Sequence, residues 1–120
     1  MLKVLVVGGT GFIGSNLANY LVEKDYQVSV LKFSENRDFI NFLNHKIKVF
    51  IADISNFKDL ESCGISWEFD LVINCGGYVN HSKFLNSFDS VIGAHLIGTI
   101  NLIRLISNDK LKKYIHLGSS

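Results

Sequence analysis

Short apolar runs alternate along the chain with longer segments whose apolar residues recur at helical spacing. The short runs are rich in Val, Ile, Leu and Phe, which is typical of buried strands. These predicted strands are Leu2–Val7, Val28–Phe33, Ile47–Ile51, Leu71–Asn74 and Tyr114–Leu117. Because parallel strands need long crossovers and helices supply them, this alternation predicts a parallel sheet with helices on both faces.

Four helical segments lie between the predicted strands. They are marked by Phe12, Leu17, Leu21 and Val22, ending near Lys24; by Phe39, Ile40 and Leu43; by Phe57 and Leu60; and by a long stretch from about Lys83 to Ser107. Strands and crossovers in this order predict the α/β class and a doubly wound parallel sheet. We expect that sheet to be truncated after its fifth strand, since the chain stops directly behind it.

Composition narrows the class of protein. A length of 120 residues, 48% of them hydrophobic and 19% charged, predicts one folded domain over residues 1–120. The net charge of +1 gives no indication of nucleic-acid binding, and no apolar run has the length of a membrane span. Two cysteines make neither a disulfide framework nor a structural zinc site. We therefore expect a cytoplasmic protein.

Three glycines occupy the turn between the first strand and the first helix. Gly8 lets the backbone leave the strand sharply, and Gly11 leaves room where a pyrophosphate would approach the helix N-terminus. Gly14 lets the helix lie close to the strand. The free amides and the helix dipole favour phosphate there. The alternative is a glycine-rich corner that binds nothing.

The spacing of these glycines, in Gly8-Gly9-Thr10-Gly11-Phe12-Ile13-Gly14, resembles the extended short-chain dehydrogenase/reductase family, specifically its nucleotide-sugar epimerases and dehydratases. The resemblance covers the whole chain and recurs at four further places in order. It implies an NAD(P)-binding Rossmann fold. The turn residues that it implies as cofactor-binding are Gly8, Thr10, Gly11, Phe12, Ile13 and Gly14.

The end of the second strand bears on the choice of cofactor. In the family an acidic residue there binds the adenine-ribose hydroxyls of NAD, and this chain has Lys32 at that position. A cation attracts a 2′-phosphate, so we favour NADP over NAD, with Arg37 assisting. The alternative is that Lys32 is an exposed, solvated charge, and NAD remains open.

Asp53-Ile54 after the third strand resembles the family's adenine-binding pair. The resemblance implies that Asp53 accepts a hydrogen bond from the adenine amino group and that Ile54 lines the ring. A structural role is compatible with this one, since Asp53 or Ser55 could cap the following helix.

Small residues follow the fourth strand, in Asn74-Cys75-Gly76-Gly77. In the family this stretch passes beneath the ribose and phosphates, which implies Cys75, Gly76 and Gly77 as cofactor-binding residues. Asn74 is expected to hold the backbone. We interpret Cys75 as a small buried residue rather than a nucleophile, because no base lies beside it in sequence.

The fourth helix and the fifth strand extend the resemblance. The helix segment Ala94–Leu102 is similar to Asn-x-x-Gly-Thr-x-Asn-Leu, with His95 at the first Asn and Gly98 at a close packing contact. The resemblance places Ser119, after the fifth strand, as the catalytic residue that orients the substrate hydroxyl. The expected Tyr-x-x-x-Lys pair is matched only by Tyr20 and Lys24, at the wrong end of the first helix.

The resemblance implies a nucleotide-sugar substrate, hydride transfer with NAD or NADP, and a homodimeric parent protein. Without the tyrosine–lysine pair, we expect the chain alone to bind cofactor without turnover. Two alternatives remain: a non-catalytic dinucleotide-binding module that acts as a redox sensor or scaffold, and a Rossmann-like methyltransferase.

Overall fold

The computed structural model describes residues 1–33, 40–76 and 96–117. The strands are β1 (Lys3–Val7), β2 (Gln27–Lys32), β3 (Lys48–Ile51), β4 (Leu71–Asn74) and β5 (Lys113–His116). The helices are α1 (Phe12–Glu23), α2 (Phe57–Ser62) and α3 (Gly98–Ile106), with a 3₁₀ turn at Ile40–Phe42.

All five strands belong to one parallel sheet with the order β3-β2-β1-β4-β5. The chain winds outward from β1 to β3 and then returns to the other side of β1 with β4. The boundary between β1 and β4 is therefore the switch point, where a crevice opens beyond the carboxyl ends of the strands. In the register, Val7 at the end of β1 lies beside Leu31 of β2 and Asn74 of β4.

Alternating side chains of each strand point into two hydrophobic clusters, one on each face of the sheet. On one face Leu5 and Val72 pack with Leu102 and Ile106 of α3. On the other face Val6 and Val30 pack with α1; the buried helix residues there are Ala18 and Leu21. Both faces of the sheet are thus covered, which confirms the doubly wound α/β class that the hydrophobic pattern predicts.

The predicted strands are all present, each within one residue of its expected ends. The predicted second helix is a single 3₁₀ turn, and Phe39 lies outside the described residues. Of the long fourth segment, α3 covers Gly98–Ile106, and Lys83 likewise lies outside them.

The first residue of α1 is an exposed aromatic residue. Phe12, one of the apolar residues that mark this helix in the sequence, is 70% exposed. The helix begins after the glycine turn, at the carboxyl edge of the sheet. Phe12 therefore lies at the edge where ligands bind in such sheets.

Candidate functional site

Two glycines bring the backbone after β1 and the backbone after β4 together at the switch point. Gly8 has a φ of +76°, a conformation that L side chains rarely adopt. A Cβ at Gly8 would lie 2.8 Å from the Cα of Gly76. The amide of Cys75 donates to the carbonyl of Val7 at 2.8 Å and continues the pairing beyond the strands. The two loops therefore form one continuous floor to the crevice.

Gly11 stands at the N-terminus of α1, and the packing of the protein itself does not require a glycine there. Its φ of −77° and ψ of 179° are extended values that any residue adopts. Among the described residues, a Cβ at Gly11 would have one neighbour within 4 Å, the carbonyl oxygen of Gly8 at 3.5 Å. The described part of the chain therefore leaves room for a side chain here. A ligand that approaches the backbone closely would explain the missing side chain.

The first turn of α1 carries neither an acidic residue nor a capping side chain. The positive end of the helix dipole is therefore left without a negative partner from that turn. Phe12 and Ile13 are exposed beside it, whereas Thr10 is buried. An anionic group, such as a phosphate, fits this helix end electrostatically.

Gly14 is a packing residue. A Cβ there would overlap the carbonyl oxygen of Gly8 and lie 2.7 Å from the Cα of Gly9. Both neighbours are backbone atoms, which cannot rotate away as a side chain can. Gly14 therefore allows α1 to start directly against the turn, and it keeps the open helix end next to the crevice.

Lys32, at the end of β2, is only 4% exposed. The alternative that it is a solvated surface charge is therefore wrong. The physical reason is the strand order, because β2 lies between β1 and β3 and its end is flanked on both sides. The amide of Ala52 also donates to the carbonyl of Lys32 at 3.0 Å. Arg37 lies outside the described residues.

The loop after β3 is ordered by a network of short polar contacts. Asp53 accepts at Oδ1 from the amide of Ser55 at 2.9 Å and from its hydroxyl at 2.6 Å. The amide of Asp53 donates to Oδ2 of Asp59 in α2 at 2.7 Å. These contacts hold the Asp53 carboxylate beside the loop, with Oδ2 making no hydrogen bond within the described part of the chain.

The cap of α2 differs from the expectation. Asn56, rather than Asp53 or Ser55, is the N-cap residue, and its side-chain oxygen accepts from the amide of Asp59 at 3.1 Å. The hydrogen bonds of Asp53 to Ser55 close a turn just before the helix, and so the first free helix amides fall to Asn56. Asp53 therefore does not cap α2.

Ile54 is 9% exposed and packs in the α3-side cluster, so only a small part of its side chain faces outward. Its carbonyl accepts a hydrogen bond of 2.9 Å from Nδ2 of Asn101, a buried residue of α3. The sequence pattern places Asn101 in the helix segment Ala94–Leu102, but it does not identify the hydrogen-bond partner of the Asn101 side chain. In the structure, Asn101 ties the loop after β3 to the helix α3 that covers this face.

Asn101→Leu is expected to lower the free energy of unfolding by about 1–3 kcal/mol, because it leaves the carbonyl of Ile54 buried without its donor. Urea unfolding followed by circular dichroism measures the loss. Asn108 is exposed, and Asn108→Leu removes its 2.8 Å bond to the carbonyl of Trp67 and its 3.0 Å bond from the amide of Lys110. It is the control and should cost less, because water can replace both partners. Equal losses for both variants would contradict a special role for Asn101.

Asn74 and Cys75 end the fourth strand in different environments. The side-chain oxygen of Asn74 accepts from the amide of Gly76 at 2.9 Å, so Asn74 holds the backbone of this turn. Cys75 is half-buried against the α1-side cluster. Desolvation by burial raises the pKa of the Cys75 thiol, which keeps it neutral near pH 7. This environment fits a packing residue and not a nucleophile. Gly77 and Ser119 lie outside the described residues.

Tyr20 and Lys24 lie at the far end of α1. The ammonium of Lys24 stands 5.5 Å from the centroid of the Tyr20 ring. Tyr20 is about 12 Å along the helix axis from Phe12, at 1.5 Å per residue. This tyrosine–lysine pair is therefore separated from the crevice by most of the helix.

No helix among the described residues is long and apolar enough to cross a membrane. No group of three or more His, Cys, Asp or Glu residues in the same part of the chain could hold a metal ion.

A glycine turn at the switch point of a doubly wound parallel sheet defines the Rossmann-like class of nucleotide-binding folds. A family model described as the NAD dependent epimerase/dehydratase family matches residues 4–120. The chain therefore belongs to that family.

Two curated relatives illustrate the breadth of the match. The chain is 27% identical to the bifunctional UDP-glucose 4-epimerase and UDP-xylose 4-epimerase 1 of Pisum sativum, over 98% of this chain and 37% of the relative. It is also 27% identical to the dTDP-D-glucose 4,6-dehydratase of Dictyostelium discoideum, over 98% of this chain and 29% of the relative. The chain thus spans about a third of the length of these relatives.

Solved structures agree on the fold. A crystal structure of UDP-galactose 4-epimerase superimposes with a TM-score of 0.83 and 23% identity, covering 99% of this chain and 39% of the other. The Bordetella bronchiseptica enzyme WbmF, in complex with NAD⁺ and UDP, has a TM-score of 0.82 and 26% identity, covering 96% of this chain and 35% of the other.

Proposed function

We propose that this chain is the cofactor-binding domain, over residues 1–120, of an NAD(P)-dependent nucleotide-sugar epimerase, dehydratase or reductase. The observation that carries the proposal is the open, uncapped helix end at Gly11, where the protein's own packing would tolerate a side chain. The family to which the chain belongs supports the same function. So do the names of relatives that act on nucleotide sugars.

The proposed cofactor site runs across the crevice. The start of α1 at Phe12 and Ile13 would bind the pyrophosphate, beside the small Gly11, whose own amide donates to the carbonyl of Gly8 at 3.1 Å. Gly8 and Gly76 keep the two loops close enough for the cofactor to lie over both. Thr10, Gly14 and Cys75 shape this floor by packing, and Gly77 continues it.

The adenine end of the proposed site lies beside β2 and β3. The Asp53 carboxylate, held by Ser55, accepts from the adenine amino group through Oδ2. The exposed edge of Ile54 contacts the ring, and Asn101 keeps the loop in place from behind.

The bound nicotinamide supplies a hydride acceptor and donor for a sugar carbon. Ser119 is the proposed catalytic residue of this chain, where it orients the sugar hydroxyl by a hydrogen bond. Within the 120 residues the Tyr-x-x-x-Lys spacing occurs only at Tyr20, which the helix separates from the crevice. We therefore propose that the chain binds cofactor but does not turn over substrate. A cytoplasmic location and a homodimeric parent protein complete the proposal.

Calorimetric titration of the chain with NAD⁺, NADP⁺ and S-adenosylmethionine tests the proposed function. We expect saturable binding of at least one dinucleotide and none of S-adenosylmethionine, which carries no pyrophosphate for the helix end. Binding of S-adenosylmethionine alone would favour a methyltransferase. Failure of all three ligands to bind a chain that circular dichroism shows to be folded would refute the proposal.

Lys32 is expected to make NADP⁺ bind about tenfold more tightly than NAD⁺, since one charge-assisted contact to the 2′-phosphate contributes roughly 1.5 kcal/mol. Lys32→Met should remove this preference by weakening NADP⁺ binding, with NAD⁺ binding little changed. Lys24→Met, at the exposed far end of α1, is the matched control and should retain the preference. Tighter binding of NAD⁺ by the unmodified chain would contradict the role of Lys32.

A further inference from the structure

A chain of hydrogen bonds crosses from β4 to β5 at the edge of the crevice. Nδ2 of Asn74 donates to the hydroxyl of Tyr114 at 3.1 Å. The same hydroxyl lies 3.1 Å from Nδ1 of His116. The sheet register creates this arrangement, because Asn74 lies beside His116 and Tyr114 stands two residues earlier on the same face of β5. Polar side chains from two strands are thus linked in one line.

Burial fixes the direction of the first of these bonds. Asn74 is 1% exposed, and its amide nitrogen has Tyr114 as its hydrogen-bond acceptor among the described residues. The direction of the second bond follows the tautomer of His116. With the imidazole proton on Nε2 the Tyr114 hydroxyl donates to Nδ1, and with the proton on Nδ1 the hydroxyl oxygen accepts. In both tautomers His116 is a hydrogen-bond partner that orients the tyrosine hydroxyl.

The other end of this chain reaches the proposed cofactor crevice. The oxygen of the Asn74 amide accepts from the backbone amide of Gly76 at 2.9 Å. Gly76 is the residue whose Cα and nitrogen lie 2.8 Å from the position of a Cβ on Gly8. The orientation of the Asn74 amide therefore sets where the β4 loop lies relative to the glycine turn.

Tyr114 packs against the protein core, whereas His116 is exposed to solvent. The Tyr114 ring packs against the α3-side cluster, so its hydroxyl cannot easily move away from Asn74. The His116 ring is tilted by 34° to the Tyr114 ring, with the centroids 6.2 Å apart. The half-buried Tyr114 and the exposed His116 thus hold the hydroxyl that accepts from the side-chain amide of Asn74.

We propose that Tyr114 and His116 are positioning residues for the dinucleotide crevice, which they shape through Asn74 and Gly76. The proposal rests on the proposed function for its consequence on cofactor binding, but not for its structural part. Without the tyrosine hydroxyl, the buried Asn74 amide lacks an acceptor and reorients, and the amide of Gly76 loses its fixed partner.

Amide hydrogen exchange in the free chain, read by NMR, tests the structural part on Tyr114→Phe, which keeps the ring in the core. We expect the Gly76 amide to exchange at least about fivefold faster than in the unmodified chain, with a shifted resonance, while the amide of Val30 in β2 keeps its rate. A purely structural loss of stability would instead accelerate protected amides together. An unchanged Gly76 amide, or equal acceleration at Val30, would overturn the proposal.

Rescue at His116 tests the second residue. His116→Phe removes the hydrogen-bond partner of the Tyr114 hydroxyl but keeps a ring. It should accelerate hydrogen exchange at the Gly76 amide, as Tyr114→Phe does. His116→Asn offers an oxygen near the position of Nδ1 and should restore slow exchange. Tyr26→Phe, the same chemical change against the α1-side cluster, is the matched control and should leave Gly76 unchanged. Failure of the Asn variant to differ from the Phe variant would contradict the role of His116.

Calorimetry with NAD⁺ or NADP⁺, whichever the unmodified chain binds, measures the consequence for the site. We expect Tyr114→Phe to weaken binding about three- to tenfold and Tyr26→Phe to leave it unchanged. If the unmodified chain binds neither dinucleotide, the proposed function fails while the exchange experiment still decides whether Tyr114 and His116 position Gly76. If exchange changes and affinity does not, the positioning of the crevice is refuted.

Discussion

Gly11→Asp is expected to weaken dinucleotide binding at least about 100-fold and to leave the fold intact. The backbone at Gly11 is extended, and among the described residues a Cβ there meets the Gly8 carbonyl oxygen alone, at 3.5 Å, so we expect the substitution to introduce no strain. The new carboxylate interacts favourably with the helix dipole. It also occupies the space proposed for the pyrophosphate and repels its negative charges. Binding and stability should therefore separate at this residue.

Calorimetry measures the affinity of Gly11→Asp, and thermal unfolding measures its stability. Gln27→Glu, which adds the same charge at the exposed start of β2, is the control for net charge and should bind as the unmodified chain does. Gly11→Ala should show a smaller loss of affinity, because it adds volume without charge. Undiminished binding by Gly11→Asp would mean that no phosphate lies at this helix end.

Sequence reasoning succeeded where one local pattern determines the outcome. The run Leu71–Asn74 has apolar residues on both faces, which is typical of a strand buried on both sides of a parallel sheet. The strand observed in the structure has the same limits. The pattern does not give the exposure of an apolar residue at an element's end, such as Phe12, which is 70% exposed. Its position relative to the edge of the sheet, which periodicity does not contain, decides its exposure.

The polar contacts of the site were harder to predict from sequence. Asp53, Ser55 and Asn56 are all good N-cap residues, and only the turn closed by Asp53 assigns the cap to Asn56. Asn101 and Ile54 are far apart in the chain and meet because α3 packs in the same cluster as the loop after β3. Residue type indicates that such groups need partners, but the partners come from the tertiary arrangement.

Gly14→Ala is expected to lower the free energy of unfolding by about 1–2 kcal/mol. The added methyl group would overlap the carbonyl oxygen of Gly8 and lie 2.7 Å from the Cα of Gly9, so α1 or the glycine turn must shift. Overpacking of this kind costs roughly 1–3 kcal/mol or more. Alanine recovers about 1 kcal/mol through its higher helix propensity, and the expected loss is net of that gain. With total stabilities of about 5–15 kcal/mol, the change is large.

Urea unfolding of Gly14→Ala beside Gly11→Ala separates the two glycine roles with one chemical change. Gly11→Ala should retain its stability within about 0.5 kcal/mol and bind dinucleotide less tightly. Gly14→Ala should unfold at a lower urea concentration, and any loss of binding should follow from the displaced helix end. If Gly14→Ala were as stable as the unmodified chain, α1 could move away from the turn at little cost. The close approach of helix and strand would then be a consequence of the glycine and not a requirement of the fold.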